Sequence, residues 1–152
     1  MTPRNLTTDR SALLAFKSHV VAPYNILTFN WSISAPVCTW GNIPSGIGKL
    51  MNLKESYLGN NNLTGPIPEG IYNISSLRTV DLNSNSLSGS LPEDLCSRFP
   101  KLERLFLSSN GLTGRLPPSL GDCTELIGLL APSNHFTGAI PESIGNLTGL
   151  LG

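Results

Sequence analysis

One pattern of residues recurs four times along the chain at nearly regular intervals. Each copy opens with a leucine, and an asparagine, a glycine and a proline follow eight, twelve and fifteen residues later. The copies are LKESYLGNNNLTGPIP, LRTVDLNSNSLSGSLP, LERLFLSSNGLTGRLP and LIGLLAPSNHFTGAIP, which open at Leu53, Leu77, Leu102 and Leu126. Self-similarity at a period of about 24 residues indicates a solenoid, in which each coil packs against its neighbours and no central core is needed.

The first half of each copy predicts a short strand. Its L-x-x-L-x-L pattern alternates with period two, so Val80 and Leu82, like Leu105 and Leu107, are predicted to point inward. Copies joined in the same direction place these strands in one parallel sheet, and the second halves return by 3₁₀ or short helical turns. The fold class is therefore α/β, a right-handed leucine-rich-repeat solenoid with short parallel strands on the concave face, turns on the convex face and an N-terminal helical cap.

The chain divides into a cap at residues 1–40 and repeats at residues 41–152. Gly41 and Pro44 have the spacing of the later glycine–proline pairs, although no strand of the usual pattern precedes them. The predicted first coil therefore lacks its strand. The repeats comprise a half repeat at 41–52, four full repeats at 53–149 and the truncated start of a fifth.

The last coil is expected to leave Leu147, Leu150 and Leu151 uncovered. Because end repeats need a lid to shield their apolar face, we expect marginal stability and association through this end. At the other end, Asp9 is placed to cap a helix running to about Val20, whose apolar stripe would cover the first coil.

The recurrent asparagines, glycines and apolar residues are given structural roles. An asparagine amide donates to and accepts from backbone groups of its own and the adjacent coil, so a structural ladder is predicted at Asn61, Asn85, Asn110 and Asn134. Glycine permits a turn with positive φ, predicted at Gly65, Gly89, Gly114 and Gly138. Two apolar columns are predicted to fill the core: Leu50, Ile74, Phe99, Cys123 and Leu147, with Ile67, Leu91, Leu116 and Ile140.

Composition and motifs exclude several functions. Ten basic residues balance ten acidic ones, so nucleic acid is not an expected partner. No Cys, His and carboxylate cluster has metal-ligand spacing, and no nucleophile–base constellation or kinase motif occurs. We therefore expect no enzyme activity, no cofactor, no metal and no catalytic residue in this chain. Neither a signal peptide nor a membrane span of about 18 apolar residues is present in it.

Two stretches resemble one protein family. The half-repeats LTGPIP, LSGSLP, LTGRLP and FTGAIP resemble the plant-specific class of leucine-rich repeats, because general repeats do not require this glycine and proline. The segment TTDRSALLAFKSHV, followed by NWS and CTW, resembles the N-terminal cap of plant leucine-rich-repeat receptor-like kinases and polygalacturonase inhibitors. The resemblance implies location at the extracellular face of the plasma membrane or in the apoplast.

The same resemblance bears on the cysteines. The family cap usually carries a second cysteine as C-x-W-x-G-V-x-C, which is absent after Cys38-Thr39-Trp40-Gly41. Cys38 is therefore predicted to be a free thiol. Cys96 and Cys123 lie in convex-side positions and are predicted to be small buried apolar side chains.

The outward positions of the strands form the predicted binding face. Tyr57, Phe106 and Leu130 alternate with charged neighbours, and aromatic and arginine side chains supply much of the energy of protein interfaces. This alternation favours an extended peptide ligand. The candidate ligand-binding residues are Glu55, Tyr57, Thr79, Asp81, Asn83, Arg104, Phe106, Ser108 and Leu130. Sequons predict glycosylation at Asn5, Asn30, Asn62, Asn73 and Asn146.

The resemblance implies a recognition module from the extracellular domain of a plant receptor-like kinase. Such a module would perceive a peptide or elicitor in defence or developmental signalling, with a co-receptor of the same repeat class as a further partner. Two alternatives remain open at this point: a secreted inhibitor of a cell-wall hydrolase, of the polygalacturonase-inhibitor type, and a non-functional truncated gene product.

Overall fold

The computed structural model describes residues 41–43 and 45–151, together with the backbone of residues 26–28. The cap helix predicted near Asp9, the sequons at Asn5 and Asn30 and the free thiol at Cys38 lie outside the described residues. The described coils stack in register, and short strands and turns recur once per coil. The predicted leucine-rich-repeat solenoid is confirmed.

The first sheet contains five parallel strands in the order β1-β2-β4-β6-β8. Each strand is only three residues long, because the L-x-x-L-x-L pattern alternates over a short span before the chain turns away. The strands are β1 at Ile26–Thr28, β2 at Glu55–Tyr57, β4 at Thr79–Asp81, β6 at Arg104–Phe106 and β8 at Gly128–Leu130. The register is strict, so Ser56, Val80, Leu105 and Leu129 are neighbours on the inner side.

Strand β1 corrects the prediction that the first coil lacks its strand. Its residues, Ile26–Thr28, pair in parallel with β2 and so occupy the first place in the sheet. The stretch of chain from Ile26 to its partner Glu55 is longer than the stretch from Glu55 to its own partner, Thr79. The strand was missed because this longer step puts it out of phase with the repeat. Its residues are nevertheless of the apolar and β-branched types that favour strands.

A second parallel sheet, which the sequence did not predict, is formed by the residues that follow the ladder asparagine in each coil. Its order is β3-β5-β7-β9, and Asn42 adds a bridge to Thr64 at its edge. Glycine and proline normally weaken strands, so the sequence predicts a turn in this segment. Because the coils repeat nearly the same backbone path, these segments of neighbouring coils nevertheless pair when the coils stack. The strands are β3 at Thr64–Pro66, β5 at Ser86–Gly89, β7 at Gly111–Gly114 and β9 at His135–Phe136.

The recurrent glycine has the positive φ predicted for it, between 75° and 83° in the four repeats. A side chain would be strained there, which explains the glycine. The recurrent proline then starts the convex turn: its carbonyl accepts from the amide three residues on, as in Pro68 to Ile71 at 3.0 Å. The convex turns are helices at Glu69–Tyr72 and Leu95–Arg98 and 3₁₀ turns at Ser45–Lys49, Pro118–Asp122 and Glu142–Asn146.

The core is a continuous column of apolar side chains between the sheets and the convex turns. Its most enclosed members include Phe99, Ile74 and Leu87, which are almost completely buried. Each fully buried side chain of this size contributes about 1.5–3 kcal/mol relative to exposure. Both apolar columns contribute to the core as predicted, except at the last coil.

The last coil differs from the prediction in two ways. Leu147 is buried, and Leu150 packs partly against the core, although both were expected to be uncovered. Ile140, predicted to be core, is 71% exposed, whereas Leu151 is exposed as expected, at 75%. Ile140 is exposed because, within the described residues, no further coil packs against it.

A disulfide between Cys96 and Cys123 corrects the prediction of two separate buried thiols. Both residues are buried as expected, but their Cα atoms lie 5.1 Å apart on neighbouring coils. Cys96 lies in the helix Leu95–Arg98 and Cys123 follows the turn Pro118–Asp122, so the bond joins two convex turns.

Candidate recognition surface

The outward side chains of β2, β4, β6 and β8, with those two positions beyond each strand, form the surface that we call the concave surface. Strict register arranges them in rows that cross the strands. One row is Glu55, Thr79, Arg104 and Gly128, and the next is Tyr57, Asp81, Phe106 and Leu130. A third row continues beyond the strands with Gly59, Asn83, Ser108 and Pro132.

Tyr57 is the centre of a small hydrogen-bonded group at one end of the concave surface. Its hydroxyl donates to the Glu55 carboxylate at 3.2 Å and interacts with the Thr79 hydroxyl. Burial raises the pKa of Tyr57 most, the Glu55 carboxylate adds to the rise, and Thr79 and Arg104 oppose it. The phenol therefore stays protonated and fixes the Glu55 side chain beside it.

Thr79 does not occupy the open position predicted for it. It is 1% exposed, although it lies in register between Glu55 and Arg104. The longer side chains around it, including Tyr57, cover its short hydroxyl. Thr79 thus positions Tyr57 and offers no surface to a ligand.

Asp81 is half-buried next to Tyr57 in the same row. Its Oδ1 accepts from the Asn83 amide at 3.0 Å, which fixes the carboxylate against the backbone. A Cβ at Gly59 would come within 3.1 Å of that oxygen, so the missing side chain leaves the carboxylate room. Asn83 in turn accepts from the Ser108 amide at 2.8 Å, so its side chain helps to hold the adjacent coil.

Phe106 and Leu130 form an apolar patch at the other end of the same row. The Phe106 ring leans over Gly128, where a Cβ would come within 3.3 Å of the ring edge. Leu130 is 49% exposed beside it. Arg104 borders the patch, since its Cγ lies 3.6 Å from the same Cβ position.

An ion-pair group at the start of the strands was missed by sequence reasoning. Arg78 pairs with Glu103 on the neighbouring coil, and Arg104 lies 3.7 Å from the same carboxylate. The signal was available, because the position just before each strand is charged in three repeats (Lys54, Arg78 and Glu103). The Glu103 carboxylate is shared between two guanidinium groups, so the group of charges at the start of the strands has a net positive charge.

The ladder asparagines connect consecutive coils and leave the concave surface to other residues. The Asn110 amide donates to the carbonyls of Leu107 in its own coil and Leu82 in the preceding coil, at 3.0 and 2.9 Å. Its Oδ1 accepts from the Leu87 amide at 3.0 Å. Asn85 and Asn134 make corresponding contacts, and the Asn61 amide donates to Leu58 and Gly59 of its own coil.

The sequons within the described residues are exposed. Asn73 and Asn146 both lie four residues before an opening leucine, at the end of a convex turn. Asn62 lies in the stretch of chain that joins β2 to β3, beside the ladder residue Asn61. None of the three belongs to the concave surface.

Within the described residues, no group of three or more His, Cys, Asp or Glu side chains is arranged to hold a metal. Across that same part of the chain, every helix is too short to span a bilayer.

Comparison with known proteins identifies the class. The family model described as "Leucine rich repeat" matches residues 51–112, and "Leucine rich repeat N-terminal domain" matches residues 6–43. A comparison with curated protein sequences finds no match.

Solved structures give a more specific relationship. One chain of the BIR3–SERK2 complex from Arabidopsis thaliana is 30% identical, with a TM-score of 0.63, and the match covers 93% of this chain and 77% of that one. The BIR2 ectodomain from Arabidopsis thaliana is 36% identical over 65% of this chain and 52% of its own, with a TM-score of 0.63. Arabidopsis HAESA, solved with the peptide hormone IDA and the co-receptor SERK1, is 36% identical over 71% of this chain but 18% of its own, with a TM-score of 0.68.

These findings and the repeat geometry define a leucine-rich-repeat binding module. The chain belongs to the family of leucine-rich-repeat ectodomains of plant receptor kinases. It spans about half the length of the BIR2 ectodomain and less than a fifth of HAESA.

Proposed function

We propose that this chain is the recognition module of an extracellular plant receptor and contacts an extended peptide ligand through its concave surface. The supporting observation is the row of Tyr57, Asp81, Phe106 and Leu130, which places an acidic, an apolar and two aromatic side chains on adjacent strands. Aromatic side chains supply a large part of the binding energy of protein interfaces. The HAESA relative, solved with a peptide hormone, supports the same class of ligand.

The size of the concave surface limits what it binds alone. Strands about 4.8 Å apart make the face from β2 to β8 about 14 Å wide, and an extended peptide crosses it in about four or five residues. That is less than the roughly 800 Å² per partner of a stable protein interface. We therefore expect weak peptide binding by the isolated chain, and tighter binding when a second leucine-rich-repeat ectodomain acts as co-receptor, as SERK1 accompanies HAESA.

Glycosylation is part of the proposal. Asn73 and Asn146 are exposed on the convex side, so glycans there leave the concave surface open to a peptide. Glycans are added to secreted chains, which agrees with an extracellular location.

The test is peptide selection followed by site-directed variants. Randomised peptides are selected on the immobilised chain, and their affinities are measured by calorimetry. Leu130→Arg on the concave surface should weaken the selected peptides at least tenfold, because it buries an unpaired charge beside Phe106. Ser97→Arg, at an exposed position of the convex helix Leu95–Arg98, is the matched control and should change affinity less than twofold. The opposite ranking of the two variants would reject the proposal.

A further inference from the structure

Two acidic side chains flank the Tyr57 ring. Glu55 lies two residues earlier on the same strand and accepts from the Tyr57 hydroxyl, and Asp81 lies directly opposite on the next strand. Asp81 is turned towards the open position of Gly59. Arg104 also acts on Tyr57, but two carboxylates beside the aromatic ring exceed this single positive charge and attract a cation through both charge and the ring's electron density. This end of the row therefore favours a lysine or arginine side chain of the ligand.

The other end of the row favours an apolar side chain. Phe106 leans over Gly128, and Leu130 is half exposed next to it, so the two side chains form the apolar patch described above. Arg104 borders this patch and its charge is only partly neutralised, because the Glu103 carboxylate near it also pairs with Arg78. A second cation of the ligand is repelled there, whereas a leucine- or phenylalanine-sized group is accepted.

The distance between the two ends fixes the spacing in the ligand. The apolar patch lies between β6 and β8, one and a half strand spacings, or about 7 Å, from Asp81 on β4. Tyr57 on β2 lies one spacing further, within reach of a long basic side chain. In an extended peptide, residues i and i+2 point to the same side and lie about 6.6–7 Å apart. The two ends of the row are therefore matched by residues i and i+2 of one peptide strand.

We infer that the concave surface reads a pair of ligand side chains two residues apart, with a basic side chain at Asp81 and Tyr57 and a bulky apolar one at Phe106 and Leu130. This inference rests on the proposed function and specifies its ligand class. Complementarity of charge selects the partner: a peptide segment with one basic residue, one apolar residue two positions away and no second cation at the apolar end.

The experiment selects a randomised seven-residue library, blocked at both ends, on the full 152-residue chain. We expect enrichment of Lys or Arg paired with Leu, Ile, Met or Phe at i and i+2, and no enrichment of the same pair at i and i+1. Asp81→Asn keeps an acceptor for the Asn83 amide and should weaken the enriched peptides about three- to tenfold. Asp81→Lys should switch the selected basic residue to Asp or Glu and leave the apolar preference unchanged.

The outcomes separate this inference from the proposed function. Peptides that lose affinity on Leu130→Arg but show no basic–apolar spacing, or no switch with Asp81→Lys, overturn the inference and leave the peptide-binding function standing. If the affinity of the selected peptides is unchanged by every substitution on the concave surface, both the inference and the proposed function are overturned. Circular dichroism and melting curves confirm that each variant folds. Leu130→Ala gives a second reading, because it should relax the apolar preference without altering the preference for a basic residue.

Discussion

Replacing the ladder residue Asn85 by alanine tests how the coils are held together. Its Oδ1 is the acceptor for two backbone amides, those of Asn61 at 3.1 Å and Leu63 at 2.9 Å. Its Nδ2 donates to three carbonyls, which belong to Leu58, Leu82 and Asn83. Alanine leaves both amides and these carbonyls without the side chain that joins them. Because the contacts are partly buried, water replaces them only incompletely.

The magnitude follows from the two amides. An unpaired buried amide costs about 1–3 kcal/mol, and partial burial places each of these in the lower half of that range. Asn85→Ala should therefore lower the free energy of unfolding by about 2–4 kcal/mol. With a urea m-value of about 2 kcal/mol/M for a chain of this size, the midpoint should fall by about 1–2 M.

The assay is urea unfolding followed by far-ultraviolet circular dichroism. Asn73→Ala is the matched control, because Asn73 is exposed at the end of a convex helix. A surface substitution of this kind should change stability by less than about 0.5 kcal/mol. If Asn85→Ala unfolds at the same urea concentration as Asn73→Ala, the ladder does not stabilise the stack and this reasoning is refuted.

Three further predictions concern covalent and ionisable groups. Replacing Cys96 and Cys123 by alanine should lower stability by about 3–4 kcal/mol, because the bond closes a separation of 27 residues; a urea midpoint unchanged by the double substitution would contradict this. Burial raises the pKa of Tyr72, so the phenolate forms only in the unfolded chain and stability should be lost as pH rises above the usual tyrosine value of about 10. Tyr72→Phe should reduce that alkaline loss. At neutral pH it should change the free energy of unfolding by less than about 1 kcal/mol, since among the described residues the hydroxyl has no hydrogen-bond partner. A loss above about 2 kcal/mol at neutral pH in thermal unfolding would contradict this prediction. When the chain is secreted from eukaryotic cells, peptide mapping after enzymatic deglycosylation should find glycans at Asn73 and Asn146, and unmodified asparagine at both would disprove the assignment.

Local patterns predicted the repeating parts of the fold because every coil has the same backbone geometry and buries apolar residues at the same positions. Period-two alternation at Val80 and Leu82 determined which side chains point inward, and both are buried. A glycine twelve residues into each repeat indicated positive φ, which the structure has at every copy, including Gly114 at 79°. These outcomes depend on backbone sterics and on burial of apolar surface, and a single sequence contains both kinds of information.

Contacts between coils were harder to predict. The second sheet was missed because its strands, such as β5 and β7, contain the residue types that usually end strands. The Cys96–Cys123 bond was missed because the two residues are 27 apart in sequence. Cys123 nevertheless occupies the same repeat position as Phe99, which lies within one helical turn of Cys96. The register therefore contained a signal that residue type alone did not.

The candidate site was predicted in part. Sequence alternation named the outward positions, and Tyr57, Asp81, Phe106 and Leu130 do form one row. Alternation could not show that neighbouring side chains enclose Thr79, since exposure depends on what lies beside a residue on the next coil.

The amino-acid sequence alone determined the coil, its inward leucines and its period, because these follow from local geometry repeated along the chain. The tertiary structure decided the contacts across coils that local patterns do not specify: the disulfide, the second sheet, the cover over Thr79, and the pairing of an acidic end with an apolar end on the concave surface. The physical reason is that these contacts join residues about one repeat apart, and their existence depends on the stacking register that only the folded chain establishes.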